Sequence, residues 1–231
     1  MNFKDRICAR KFTLIVSLPS NDLELAKAAL EGGADAIKVH CNVWHRASGH
    51  SFGSYQDNRE FLNELIQLCG DVPVGLMPGT DEVFITNEDR LELEEMGLSF
   101  TSAYWHHLPR FMMKSRKLTN MVAIDYRYTQ ETLDAVRDSG IQVMEASVME
   151  GKDYGQPLEE ADIQRYAQIV VKTGKPCVIP TQKRIQPAQV KDLYQAGCKA
   201  IMIGAVVFGQ NPTPEQLRDA TRAFRQAVDA L

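Results

Sequence analysis

The chain predicts a single (β/α)8 barrel, and three observations lead there. An amphipathic helix, a glycine and an apolar strand recur in that order six times along the chain. Eight strand-like apolar segments can be counted. Eight units in 231 residues leave about 29 residues each, the length of one βα unit. A doubly wound open sheet would give the same alternation, but no G-x-G-x-x-G follows the first strand. No linker, low-complexity tract or charge block divides the chain, so residues 1–231 read as one domain.

The elements follow in order. The first strand is Phe12–Leu18. Basic residues precede it, as in a secretory leader, but it runs into Pro19-Ser20-Asn21-Asp22 with no small-residue cleavage site. Asn21 with Glu24 reads as the next helix N-cap, and that helix stops at Gly32-Gly33 before strand two, Ala36–Val43. Asp57 with Glu60 starts the following helix, and Gly70 ends it before strand three, Val72–Met77. Leu93-Glu94-Glu95-Met96-Gly97 leads into strand four, Ser99–Trp105, and strand five is Met121–Tyr126. Gly140, Gly174 and Gly197 precede Gln142–Val148, Cys177–Gln182 and Ala200–Val206. Thr213-Pro214-Glu215-Gln216 caps the last helix, with proline at the first helical position. The apolar runs are those of strands buried on both faces.

Charge narrows the partners. With 26 Lys+Arg against 30 Asp+Glu the net charge is −4, so no global attraction draws the chain to nucleic acid or an anionic membrane. The longest apolar stretch, Ala200 to Gly209, falls far short of the roughly 20 residues of a membrane span. Five cysteines (8, 41, 69, 177 and 198) without a C-x-x-C predict reduced thiols in the cytoplasm, most of them core residues. No exposed apolar stripe marks a dimer interface, and homo-oligomerisation stays open.

In such a barrel the active site lies at the C-terminal ends of the strands. Alternation predicts which side chains point inward, because the apolar set faces the helices. In strand two, Lys38, His40 and Asn42 alternate with Ile37, Val39 and Cys41. Strand five offers Asp125, and strand six Glu145 and Ser147. A lysine and two carboxylates inside a barrel are costly unless paired or functional, so a structural ion-pair network competes with a catalytic role. All five histidines (40, 45, 50, 106 and 107) fall at the ends of strands two and four or in the loop after strand two. That clustering favours the catalytic face, with His40 the best general acid or base and at most one of His106 and His107 entering the site. No paired-histidine spacing supports a metal site, and no cofactor is expected. The segment from Trp44 to Asp57 reads as a long loop, either a lid or a plain cover of the barrel mouth.

The expected phosphate site joins the ends of strands seven and eight. Gly204 and Ala205 are small enough to let a phosphate reach backbone N–H groups, ahead of a short extra helix. Thr181, Gln182 and Lys183, with Arg184, bring a hydroxyl, an amide and cations to the same place.

These features resemble the ribulose-phosphate-binding type of barrel, and within it the N-acylglucosamine-6-phosphate 2-epimerases. The resemblance rests on Glu31-Gly32-Gly33-Ala34 leading to Ile37-Lys38, where that family usually has a substrate-contacting arginine. It rests also on Asp81-Glu82-Val83-Phe84-Ile85-Thr86 after strand three and Gly204-Ala205-Val206-Val207 at the phosphate position. It implies phosphorylated metabolites as substrates and an acidic residue at Asp125. The family's strand-three lysine and strand-seven glutamate are missing: this chain has Gly75-Leu76-Met77-Pro78-Gly79 and Ile179-Pro180-Thr181-Gln182 there. The expectation is therefore a relative with changed chemistry, an isomerase or epimerase of a small phosphorylated, sugar-like metabolite. His40 and Glu145 would move protons, Lys38 would polarise an oxygen and Asp125 would orient it. A Schiff-base lyase using Lys38 and a catalytically silent phosphometabolite binder are the competing expectations.

Overall fold

The computed structural model describes residues 1–231. Helix α1 (Phe3–Ala9) precedes β1 (Thr13–Ser17), α2 (Leu23–Glu31) and β2 (Ala36–His40). A small antiparallel hairpin, β3 (Val43–His45) and β4 (His50–Phe52), comes next, then α3 (Tyr55–Cys69), β5 (Val74–Met77), α4 (Asn87–Met96) and β6 (Phe100–Tyr104). The second half runs β7 (Thr119–Ile124), α5 (Gln130–Asp138), β8 (Val143–Ala146), α6 (Glu160–Thr173) and β9 (Cys177–Pro180). It ends with α7 (Val190–Gln195), β10 (Ala200–Ile203), α8 (Ala205–Phe208) and α9 (Pro214–Asp229). Eight parallel strands close in the order β1-β10-β9-β8-β7-β6-β5-β2. The expected (β/α)8 barrel is the observed fold, and no helix is long and apolar enough to cross a membrane.

Two cores follow from strand alternation. Outward residues such as Ile37, Val39, Met144 and Ile201 join the helices in one large cluster. Inward residues at the N-terminal end of the barrel form a second, with Ile15, Phe100, Met121, Val143 and Val178 closed from below by Phe3 and Ile7 of α1. The Phe3 and Phe100 rings stack at 3.8 Å. This plug leaves the other end as the open mouth.

Several local expectations are corrected. Strand two stops at His40 because Asn42 takes a left-handed conformation (φ 54°), and Val43 begins the hairpin instead of ending the strand. The long loop after strand two is largely this hairpin. Two short 3₁₀ turns, Trp105–His107 and Arg110–Lys114, replace a helix between β6 and β7; Pro109, between them, lacks the N–H a continuous helix needs. The N-cap of α2 is Asp22, whose carboxylate accepts from the Glu24 and Leu25 N–H groups. Asn21 instead donates to the His40 carbonyl (2.8 Å) and to Asn58 (2.7 Å), tying β2 to α3. Ser54 caps α3, and Asp57 is the third residue of its capping box. Thr213 caps α9 as expected. Cysteines 41, 69, 177 and 198 are buried free thiols, whereas Cys8 is exposed.

Candidate active site

The mouth holds a cavity of about 330 Å³. Lys38 and His40 enter it from β2, Ser102 and Tyr104 from β6, Glu145 from β8 and Ser147 from just beyond it. Thr181, Gln182, Gly204, Ala205 and Val206 form another wall. Alternation explains most of the selection: Lys38 with His40, Ser102 with Tyr104, and Glu145 with the inward Val143 each sit two positions apart.

On the floor, Lys38 Nζ lies 3.6 Å from Glu145 Oε2, both side chains under one-tenth exposed. Ser102 Oγ donates to the same carboxylate oxygen at 2.6 Å. The Tyr104 hydroxyl meets Ser147 Oγ at 3.2 Å, and burial pushes its ionisation upward, so the phenol keeps its proton. His40 is 1 % exposed, and neither ring nitrogen has a partner in the protein. Burial, followed by the charges of His45 and Lys38, holds its imidazole well below the ordinary histidine range. It is therefore neutral at pH 7, with one nitrogen free to accept a proton.

The hairpin roofs this floor. The His45 ring packs on His40 at 4.4 Å and Phe52 covers His40 at 4.8 Å. Ser48 bonds His45 Nδ1 at 2.9 Å. His50 pins the hairpin to the Pro19 carbonyl (2.8 Å) and to Asn211 (3.1 Å), in the loops after β1 and α8. His50 is thus a tether, not a cavity residue. Of the adjacent histidines His107 alone lines the cavity, and its ring meets Asp81 at 3.3 Å.

Burial, then the Lys38 and His50 charges, drives His45 from 6.5 down to about 4. Below pH 6.5 the unfolded chain takes up a proton at His45 that the folded chain refuses until about pH 4. Stability is therefore full well above pH 6.5 and falls through that window, by about 3 kcal/mol. Urea unfolding midpoints measured from pH 7 to pH 4 should show this slope, and His45→Gln should reduce it, with the buried neutral His40 supplying the remainder.

Two predicted site residues lie elsewhere. Asp125 sits just beyond the end of β7, in a turn where it accepts from the Arg127 backbone N–H (2.9 Å) and guanidinium (2.6 Å), and it is not on the cavity wall. Lys183 also lies past its strand: β9 ends at Pro180, the backbone turns, and Nζ meets Asp162 of α6 at 3.6 Å. The expected strand-seven cation thus points away from the mouth, paired in a buried site. Lys38, His40, Glu145, Thr181, Gln182, Gly204 and Ala205 do share the cavity.

No protein-family model and no curated protein matches this sequence. Solved structures match in shape. A ligand-free tryptophan synthase from M. tuberculosis superposes with a TM-score of 0.73 at 15% identity, over 97% of this chain and 96% of that one. Thiamine phosphate pyrophosphorylase from Pyrococcus furiosus gives 0.68 at 16%, over 96% and 98%. KGPDC from Streptococcus mutans gives 0.65 at 14%, over 95% and 98%. What they share is the barrel.

The second wall is made of donors. Thr181 Oγ1 accepts from the Gly204 N–H at 3.1 Å, which leaves the hydroxyl proton free. The Ala205 and Val206 N–H groups open α8 without an acceptor in the protein. Gln182 faces the other way, donating to the Tyr154 hydroxyl (2.6 Å) and accepting from the Met149 N–H (3.1 Å). Sequence reasoning missed Ser102, Tyr104 and Tyr154, and assigned no role to Arg46 of the hairpin, which also lines the cavity. Alternation within Phe100–Tyr104 carries the signal for Ser102 and Tyr104, because both share the inward parity of Phe100.

Proposed function

We propose that the barrel mouth is an active site that binds a small phosphorylated, sugar-like metabolite and moves a proton on it, as an isomerase or epimerase does. One observation carries this reading: proton-moving groups and anion-binding donors open onto the same cavity from different strands. The phosphate would take the Thr181 hydroxyl and the Ala205 and Val206 N–H groups. Likeness of shape to a thiamine phosphate pyrophosphorylase adds a neighbour named for a phosphorylated compound.

The chemistry follows from the floor. Neutral His40 can take a proton from a carbon next to a carbonyl, and the Lys38 ammonium is placed to steady the oxygen charge that develops. Glu145, steadied by Ser102 and Lys38, is the second proton carrier. Asp125 and Lys183 have no part in this scheme.

Incubation with a panel of aldose and ketose phosphates in deuterated water tests it. Deuterium should enter a carbon position, detected by NMR, and His40→Asn should slow that exchange by about 10²–10⁴-fold. No exchange with any substrate would remove the proton-transfer reading. A borohydride-stabilised adduct on Lys38 would favour the lyase instead, for which a lysine opening onto the cavity floor is the supporting observation.

A further inference from the structure

Lys38, Glu145 and Arg46 are the only lysine, arginine, aspartate or glutamate side chains on the cavity wall. Lys38 and Glu145 answer each other. Arg46 is left over: no carboxylate pairs with its guanidinium, whereas Lys183 is already held by Asp162. Arg46 is solvent-exposed at the rim, but its place is fixed by the fold. It sits in the turn between the hairpin strands, and the hairpin is fixed on one side by His50 to Pro19 and Asn211. Its guanidinium lies on Gly151, beyond β8, where a Cβ would overlap Nη1. Gly151 does not have the positive φ that makes glycine necessary elsewhere in this chain. A side chain there would make the guanidinium shift.

Beside Arg46 on the wall is Tyr154. Its oxygen accepts from Gln182, so its hydroxyl proton is free to be donated. Burial raises its ionisation, so the proton stays on the phenol at neutral pH. Thr181 and Gln182, neighbours in sequence, turn their side chains opposite ways, one towards Gly204 and one towards Tyr154. The cavity therefore has two donor sets: Thr181 with the Ala205 and Val206 N–H groups, and Tyr154 with Arg46.

We propose that Arg46 and Tyr154 bind a second anionic group of the substrate, so that the enzyme takes phosphorylated metabolites carrying a carboxylate or another phosphate at the far end. This rests on the phosphate reading above and narrows it. A guanidinium fork with a neighbouring hydroxyl suits two oxygens of one planar or tetrahedral anion. A neutral sugar terminus would leave that cation, which is solvent-exposed at the rim of the cavity, facing only water.

Titration calorimetry with two probes tests it: 3-phosphoglycerate, with phosphate and carboxylate, and glycerol 3-phosphate, with phosphate alone. The native chain should bind the first at least about tenfold more tightly. Arg46→Met should erase that preference while leaving glycerol 3-phosphate binding unchanged, and Arg46→Lys should restore only part of it. Gly151→Ala, which displaces the guanidinium without touching the ligand, should act in the same direction. Equal affinity of the native chain for both probes would overturn the proposal. So would an equal weakening of both by Arg46→Met, which would assign Arg46 to the phosphate itself. Thr181→Val and Val206→Pro examine the underlying reading separately, since either should weaken glycerol 3-phosphate. If neither does, the phosphate site is wrong while the Arg46 result stands. Failure of both probes to bind at millimolar concentration would overturn both.

Discussion

Lys38→Met is expected to destabilise the barrel by about 3 kcal/mol and to abolish deuterium exchange. The reason is burial. Glu145 is 5 % exposed, and losing the ammonium 3.6 Å away leaves a carboxylate with only the Ser102 hydroxyl to answer its charge. Adding Glu145→Gln to Lys38→Met removes the unanswered charge and should recover most of the stability, as read by urea unfolding. Activity should not return, because both the polarising cation and the second proton carrier are gone. A structural ion pair would instead let the double variant keep its turnover. The two readouts together separate the ion-pair role of Lys38 and Glu145 from the catalytic one.

Phe100→Ala should cost about 4 kcal/mol, the range expected when a large aromatic is removed from a core. Phe100 is fully buried at the closed end of the barrel and stacks on Phe3, the residue that seats α1. Its loss should also loosen α1, which limited proteolysis would detect as early cleavage near the N-terminus. The same ring explains Gly75 of β5, where any Cβ would overlap it. Gly75→Ala should therefore cost about 3 kcal/mol by overpacking. Gly75→Ala with Phe100→Leu should be more stable than Gly75→Ala alone, because the smaller side chain yields the space. If the two substitutions simply add in thermal and urea unfolding, Gly75 is not a packing partner of Phe100.

Much of the barrel was legible because its signals are local. A helix stop, an apolar run and a cap each involve residues a few positions apart, so the repeat could be counted without coordinates. Alternation in β2 and β8 likewise placed Lys38, His40 and Glu145 inward while Ile37, Val39 and Met144 face the helices. The α1 plug was less visible. Its signal is only an Asn2 cap and the Phe3–Ile7 spacing, too brief for periodicity to stand out. The hairpin was equally short. Ser48-Gly49, with Gly49 left-handed, marks its turn, but strands of three residues carry little pattern of their own.

Alternation failed where strands ended. Asp125 is read inward by extending β7 beyond its last paired residue, where parity no longer predicts direction. Lys183 is read at the mouth from its place just after the seventh strand, where the backbone turns. Asp125 then meets a neighbour two residues away, while Lys183 meets Asp162 on a helix.

The sequence by itself determined a single eightfold barrel, the end that carries its candidate site, and the inward lysine, histidine and glutamate. Those follow from periodicities of two and 3.6 residues and from glycine stops, which nearest neighbours along the chain encode. Only the tertiary structure decided that Lys183 is spent on Asp162, that His50 pins a roof, and that Arg46 is the unpaired cation above the cavity. Each of these depends on contacts between elements far apart in the chain. Charge pairing is settled by distance and burial in space, and residue spacing along the chain carries neither.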